Sequence, residues 1–427
     1  MATSDRQSAD RLRFAAIGSV DDGKSTLIGR LLLDTGSVYV DQLEAVERAS
    51  RARGDEYVDL ALLTDGLRAE REQGITIDVA YRYFSTARRS FVVADCPGHI
   101  EYTRNAVTGA SGADVALLLV DARKGILEQT KRHAFVASLL GVRHLVVCVN
   151  KMDLVAYEEA VFESVRQAFT AFAARLHVAD VTFIPTSGLR GDNVTRRSER
   201  TPWYGGPSLL YHLENVYVAA DRDLVDVRFP IQSIVRPVSD RWRDYRAFAG
   251  TVAGGILKPG DEVVVLPSGV LTRIVAIEAF DQPVSEAFPT MSVKVLLEHA
   301  VDASRGSMIA RPNNRPMQAR DVEALLCVVA DERIAPGHRY ALRHTTNLVQ
   351  CQVELVRYRV DIDTLHRVVG ATALAQNDIG RVHLTTSSPL LCDPYQRNRV
   401  TGCFILIDEQ DNRTVAGGMI LDTGTQS

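Results

Sequence analysis

Gly18-Ser-Val-Asp-Asp-Gly-Lys-Ser25 fits the phosphate-binding pattern G-x-x-x-x-G-K-[ST], and its flanks give that pattern physical meaning. Arg13-Phe-Ala-Ala-Ile17 before it reads as a short buried strand, and Thr26-Leu-Ile-Gly-Arg-Leu-Leu-Leu33 after it reads as a helix. Backbone N–H groups of such a loop, backed by the positive end of a helix, point at the β- and γ-phosphates of a nucleotide. Lys24 then neutralises those phosphates, and the Ser25 hydroxyl ligates magnesium. Gly18, Ser19, Val20, Asp21, Asp22, Gly23, Lys24, Ser25 and Thr26 are therefore the expected cradle. The competing reading is a plain glycine-containing strand–helix turn, and two boxes further along the chain weigh against it.

The first, Asp95-Cys-Pro-Gly-His99, closes a second apolar strand. An Asp at that strand end can hold magnesium through water, and Gly98 lets a backbone N–H reach the γ-phosphate. His99 then stands beside the attacking water. The second, Asn150-Lys-Met-Asp153, decides the base. A carboxylate at Asp153 accepts two hydrogen bonds from the N1–H and 2-amino edge of guanine. Adenine offers neither donor there and leaves a buried carboxylate unpaired, and sites built on such bonds reject analogues by roughly 10⁴-fold or more. Asn150 suits the other edge of the base, and the Lys151 stem packs over the ring. Alone, this tetrapeptide is as well read as an ordinary turn; in order and register with the other two boxes it specifies GTP and GDP.

Weaker signals surround these. Thr76, in Gly74-Ile-Thr-Ile-Asp78, is the natural second magnesium ligand, although the tetrapeptide alone reads equally as a strand start. It follows the charged run Arg68-Ala-Glu-Arg-Glu-Gln73, which suits a mobile switch segment. Ser187-Gly-Leu189, after the strand Val181–Pro185, is usually only a turn, but a place after the fifth strand puts Ser187, Gly188 and Leu189 within reach of the base.

At 427 residues, 46% hydrophobic and 24% charged, the chain has room for two or three ordinary globular domains. A net charge of −4 gives no electrostatic argument for nucleic acid or an anionic membrane. Met1 to Ser8 shows no apolar signal region, and no apolar run approaches a membrane span. The six cysteines are scattered without C-x-x-C pairs, so buried reduced thiols and a cytoplasmic location are expected. The runs Phe14–Gly18, Phe91–Asp95, Ala116–Asp121 and Leu145–Asn150 are nearly continuously apolar, as strands covered on both faces are. A mostly parallel sheet with flanking helices follows, with a polar, helical insertion from about Asp34 to Gln73. Past Thr201-Pro-Trp-Tyr-Gly-Gly-Pro207 the segments become short and β-rich, among them Val227–Val235, Asp261–Leu266 and Leu271–Ile277. After a second break at Arg311-Pro-Asn-Asn-Arg-Pro316 come Asp321–Val329, Gln350–Val360 and Arg399–Ile407. The expected fold is an α/β P-loop GTPase domain (residues 1–216) followed by two antiparallel β-barrels, 217–316 and 317–427.

Arg71-Glu-Gln-Gly-Ile-Thr-Ile-Asp78 and Asp95-Cys-Pro-Gly-His99 resemble the switch signatures of translational GTPases of the elongation factor Tu class. A nearer resemblance, through almost the whole chain, is to the GTPase subunits of bacterial sulfate adenylyltransferases. It is carried by Gly18 to Leu32, Thr64 to Phe84, Thr108-Gly-Ala-Ser111, His133 to Gly141 and Gly191-Asp-Asn-Val194, and in the barrels by Thr364-Leu-His-Arg367 and Asn377-Asp-Ile-Gly-Arg381. Translation factors generally carry His where this loop has Asp22. Cys96 stands where Thr is commoner, and Gly188 where Ala is commoner. Asp21 resembles the loop Asp of the class, for which the resemblance implies a part in holding a monovalent cation or the loop; a turn-stabilising side chain is the other reading.

The resemblance implies a GTPase that works in a heteromeric complex with a catalytic subunit of the pyrophosphate-loop type. The pair forms adenosine 5′-phosphosulfate and pyrophosphate from ATP and sulfate, driven uphill by GTP hydrolysis. The residues agree in one independent way. No Ser-Gly-Gly-x-Asp-Ser-type loop and no second G-x-x-x-x-G-K-[ST] occurs, so adenylyl transfer is expected on a partner and no fused adenylylsulfate kinase is expected here. For GTP hydrolysis Lys24, Asp21 and His99 are the expected catalytic residues, and Ser25, Thr76 and Asp95 the magnesium ligands. Two other readings stand beside this one. A factor delivering charged tRNA shares the fold, and a GTPase module of a specialised sulfation pathway shares the partner.

Overall fold

The computed structural model describes residues 11–54, 57–64, 76, 78–99, 102–176, 178–218, 223–236, 245–361 and 364–423. Most of the expected switch segment between Leu67 and Asp78 lies outside the described residues, Thr76 and Asp78 excepted. The chain divides into two compact units, residues 1–218 and 219–427.

In the first unit β1 (Arg11–Gly18) leads into α1 (Lys24–Asp34) and α2 (Val40–Arg53). There follow β2 (Ala80–Ser85), β3 (Ser90–Asp95), α3 (Thr103–Ser111), β4 (Val115–Asp121) and α4 (Glu128–Leu139). β5 (His144–Asn150), α5 (Glu159–Ala173), β6 (Asp180–Pro185) and α6 (Leu209–Asn215) complete it. The sheet order is β2-β3-β1-β4-β5-β6. Every pairing is parallel except that of β2 with β3. All seven residues of β4 are buried, which is why its sequence runs apolar without alternation. α5 buries Phe162, Val165, Phe169 and Phe172 along one helical stripe. Its Phe169 is fully buried, a contribution of about 2–3 kcal/mol by transferred area. The chain leaves β1 toward β3 on one side and β4 on the other, and a crevice at such a reversal, outside the strands' carboxyl ends, is where open α/β sheets bind ligands.

β2 departs from the sequence expectation, which counted strands only from continuous apolar runs. Ala80-Tyr-Arg-Tyr-Phe-Ser85 is an edge strand, with Tyr81 46% and Tyr83 70% exposed. Its alternation is that of a strand wetted on one face, and it lacks the apolar run that marks interior strands. The insertion after α1 is helical in part, as expected. It also holds one 3-10 turn, Leu60–Leu63, whose Leu60 is buried. This turn seats on α1 at Gly29, where a Cβ would come within 2.3 Å of the Leu60 carbonyl oxygen.

The second unit contains two closed antiparallel barrels. In the first, Val270–Ala279 pairs with Glu262–Leu266 on one side and Ser292–Leu297 on the other, closing the ring that includes Arg228–Val235. In the second, Arg339–His344 closes the ring by pairing with both Asn347–Val360 and Cys403–Ile407. Each barrel has its own apolar core, around Phe229, Ile231 and Phe248 in one and Leu326, Tyr340 and Leu384 in the other. A small cluster of Val264, Leu266, Met308 and Ala310 with Leu391 joins them. The expected strand Arg399–Ile407 is shorter at its start. The Asn398 side chain accepts from Val400 N and Thr401 N at 2.9 and 3.0 Å, which makes residues 399–402 a turn and delays the strand to Cys403. All six cysteines are free thiols, five of them buried.

Candidate nucleotide-binding site

The loop between β1 and α1 is held close to the sheet by glycines. A Cβ on Gly18 would lie 2.7 Å from the Leu119 carbonyl oxygen of β4, and one on Gly23 would lie 2.5 Å from Asn150 Nδ2. Gly23 also has φ +92°, a left-handed conformation that an L side chain rarely adopts. Lys24 opens α1 and is buried. Its Nζ donates to the Gly18 carbonyl at 3.0 Å and the Ser19 carbonyl at 2.8 Å. An ammonium has three donors, and the third has no protein partner among the described residues. Burial pushes the Lys24 ammonium below its ordinary range, against the attraction of Asp95 and Asp22. Asp22 turns inward, its Oδ2 accepting from Ser19 N at 2.8 Å. Burial pushes its carboxyl up to about 6, although Lys24 and the Ser19 N–H pull the other way.

Two strand ends complete the phosphate side. Ser25 Oγ donates to Asp95 Oδ2 at 3.1 Å, joining the start of α1 to the end of β3. These are hard oxygen donors, with Thr76 lining the same cavity, and such a set suits a magnesium ion. Gly98 lies against the loop: a Cβ there would be 2.5 Å from Lys24 Nζ and 2.7 Å from the Gly18 carbonyl oxygen. His99 lines the cavity beside it.

The base side is organised by the ends of β5 and β6. Asn150 Nδ2 donates to the Asp22 carbonyl at 2.8 Å, and its Oδ1 accepts from Gly188 N at 2.9 Å. One amide thus ties the phosphate loop to the turn after β6. Lys151, in a left-handed conformation, donates from Nζ to the Asp21 carbonyl and pairs with Asp121 Oδ2 at 3.1 Å. Burial works against ionisation of Asp121, but hydrogen bonds from Arg123 and Lys151 outweigh it and hold the carboxyl well below the usual range. Asp153 sits in the 3-10 turn Met152–Val155 and lines the cavity. Ser187 is buried, its Oγ accepting from Arg190 N at 3.1 Å. Arg30 of α1 fastens this turn by donating to the Leu189 carbonyl at 2.5 Å and the Gly188 carbonyl at 3.3 Å.

Between the two sides lies a cavity of about 470 Å³, within the size range of small-molecule sites. Val20, Asp21, Gly23, Lys24, Ser25 and Thr26 form its phosphate end, with Gly98, His99 and Thr76 beside them. Asn150, Lys151, Asp153, Gly188 and Leu189 form the base end. Gly18, Ser19, Asp22, Asp95 and Ser187 stand behind this wall and support it. Sequence reasoning missed a further part of the lining, made by Tyr57, Asp59, Leu60 and Ala61. Its signal was available, since Leu60-Ala-Leu-Leu63 is an apolar run inside an otherwise polar insertion. It also missed Asp121 as the anchor of Lys151, although a carboxylate closing an apolar strand is visible in the sequence.

Fold and cleft together are those of a P-loop GTPase. The profile of the elongation factor Tu GTP binding domain matches residues 9–258, and that of the GTP-eEF1A C-terminal domain-like family matches 321–421. The bifunctional enzyme CysN/CysC of Mycobacterium tuberculosis is 58% identical over 96% of this chain and 67% of its own. Sulfate adenylyltransferase subunit 1 of Bacteroides fragilis is 49% identical over 97% of this chain and 86% of its own. That of Cellvibrio japonicus is 49% identical over 96% and 86%. The chain belongs to the sulfate adenylyltransferase subunit 1 family, within the elongation factor Tu-type GTPases.

Proposed function

We propose that this chain hydrolyses GTP to drive the synthesis of adenosine 5′-phosphosulfate and pyrophosphate from ATP and sulfate, with adenylyl transfer carried by a pyrophosphate-loop partner subunit in the cytoplasm. The observation that supports the nucleotide assignment is one cavity lined by both Lys24 and Asp153, beside Asn150, which is tied to Asp22 and Gly188. Asp153 accepts from the guanine edge, Asn150 supports the other edge, and the Lys151 stem covers the ring. We take residues 1–216 as the GTP-binding domain and 217–316 and 317–427 as the barrels that follow it.

Catalysis then rests on placement and charge. Backbone N–H groups from Val20 to Thr26 and the free donor of Lys24 face the phosphates. Magnesium, held when bound by Ser25, Thr76 and Asp95, supplies neutralisation of the developing phosphate charge. His99 orients the water and Asp21 steadies the loop. The experiment is reconstitution with the adenylyltransferase subunit and measurement of adenylylsulfate formation with and without GTP. Synthesis should rise with GTP and fall back when GTP is replaced by a non-hydrolysable analogue; synthesis indifferent to GTP removes the proposed coupling.

A further inference from the structure

Gly98 is pressed between two elements. On one side is the phosphate loop, close enough that a Cβ would meet Lys24 Nζ and the Gly18 carbonyl oxygen. On the other is α4, whose Gln129 donates from Nε2 to the Gly98 carbonyl oxygen at 2.9 Å. His133 lies one turn further along the same helix face, buried, with the Gly98 backbone and Lys24 among its electrostatic neighbours. Burial, with Lys24 nearby, keeps this ring neutral down to about pH 3. Neither residue lines the nucleotide cavity, and neither has a part in the roles assigned so far. A helix merely packed against a loop needs no polar side chain at such a contact. Here His133 Nε2 is buried without a partner among the described residues, and a polar atom so placed costs about 1–3 kcal/mol.

The carbonyl of Gly98 belongs to the peptide that leads into His99. We infer that Gln129 is a positioning residue for GTP hydrolysis: its bond to the Gly98 carbonyl fixes the Gly98–His99 peptide and so the place from which His99 addresses the attacking water. This rests on the role of His99 proposed above. Lys24 and the phosphates hold the nucleotide whether or not that peptide is fixed, so losing the bond affects turnover and spares affinity.

The test uses the complex with the adenylyltransferase subunit and compares wild type, Gln129→Leu and Gln129→Glu. GDP and GTP affinities and GTP turnover are measured from pH 5 to 8. Gln129→Leu keeps the volume without the donor and should lower kcat about 10-fold, with both affinities within about twofold of wild type. Gln129→Glu can donate to the carbonyl only while protonated, so its kcat relative to wild type at the same pH should fall as pH rises. His133, neutral across that window, does not contribute to the trend. Wild-type turnover in Gln129→Leu overturns the inference, as does a loss that appears equally in GDP affinity or a Gln129→Glu ratio that does not change with pH. A wild-type complex that binds no guanine nucleotide sinks the GTPase reading and this inference with it.

Discussion

Arg228 in the barrel unit and Lys24 in the nucleotide unit are both buried cations, and their surroundings differ. Arg228 spends all five of its N–H donors. Nε and Nη2 reach the two oxygens of Asp393, each at 2.8 Å. Nη1 reaches the Val227 and Asn314 carbonyls at 2.9 and 2.8 Å, and Nη2 also donates to Asn314 Oδ1 at 3.3 Å. Asp393 takes one more bond, from Thr401 Oγ1 at 2.6 Å. Around Lys24 the donors are incompletely used, and Asp22 Oδ1 and Ser19 Oγ are buried without a partner among the described residues. Buried polar groups are normally partnered, and a group left short is where a ligand, water or ion completes the set. The first cluster holds a fold together; the second is incomplete until nucleotide arrives.

Removing each cation separates the two cases. Arg228→Met leaves Asp393 buried beside a thioether, and breaking such a pair costs about 3–5 kcal/mol. Chemical denaturation of the variant should show that loss, while GDP affinity of the folded fraction stays within about twofold. A variant as stable as wild type would mean that the completed network contributes nothing to the fold. Lys24→Met should behave in the opposite sense. It gives up two bonds to loop carbonyls but no longer buries an ammonium, so folding stability without nucleotide should move by about 1 kcal/mol or less. GTP affinity, measured by titration calorimetry, should fall roughly 10²–10³-fold with the loss of the phosphate-facing charge. Equal losses of stability in both variants would erase the distinction.

The same contrast explains what was legible in the sequence. The phosphate loop, the Asp95–His99 box and the Asn150–Asp153 box are contiguous, because each is the loop that ends one strand of a parallel sheet. Their spacing and flanks could be read directly, and the interior strands announced themselves by unbroken apolar runs. Contacts made across the fold were not readable. Gln129 and His133 occupy ordinary places in a helix, and nothing local says that Gln129 bonds to Gly98, 31 residues earlier in the chain, with His133 buried beside it. Arg228 and Asp393 are 165 residues apart, and in sequence each is one charge among many. β2 escaped for a third reason, since an edge strand alternates and its tyrosines look like surface.

The smallest effect concerns Asp22, where the incompleteness of the phosphate side carries a pH signature. Its carboxyl titrates near 6 in the folded protein against 3.8 for an unperturbed group. The folded state therefore binds this proton more tightly than the unfolded state does. That contribution to stability is present in full below about pH 4, is lost as pH rises through about 6, and is absent above. The whole shift corresponds to a ceiling of about 3 kcal/mol, and relaxation of Lys24 in the variant brings the expected gain to about 2 kcal/mol. Asp22→Asn keeps an oxygen for the Ser19 N–H and carries no charge. Without nucleotide it should be more stable than wild type at pH 7 and equal to it near pH 4, as followed by thermal unfolding across that range. A stability difference that stays constant with pH would show that Asp22 is already partnered in the folded protein, and the contrast with Asp393 would then disappear.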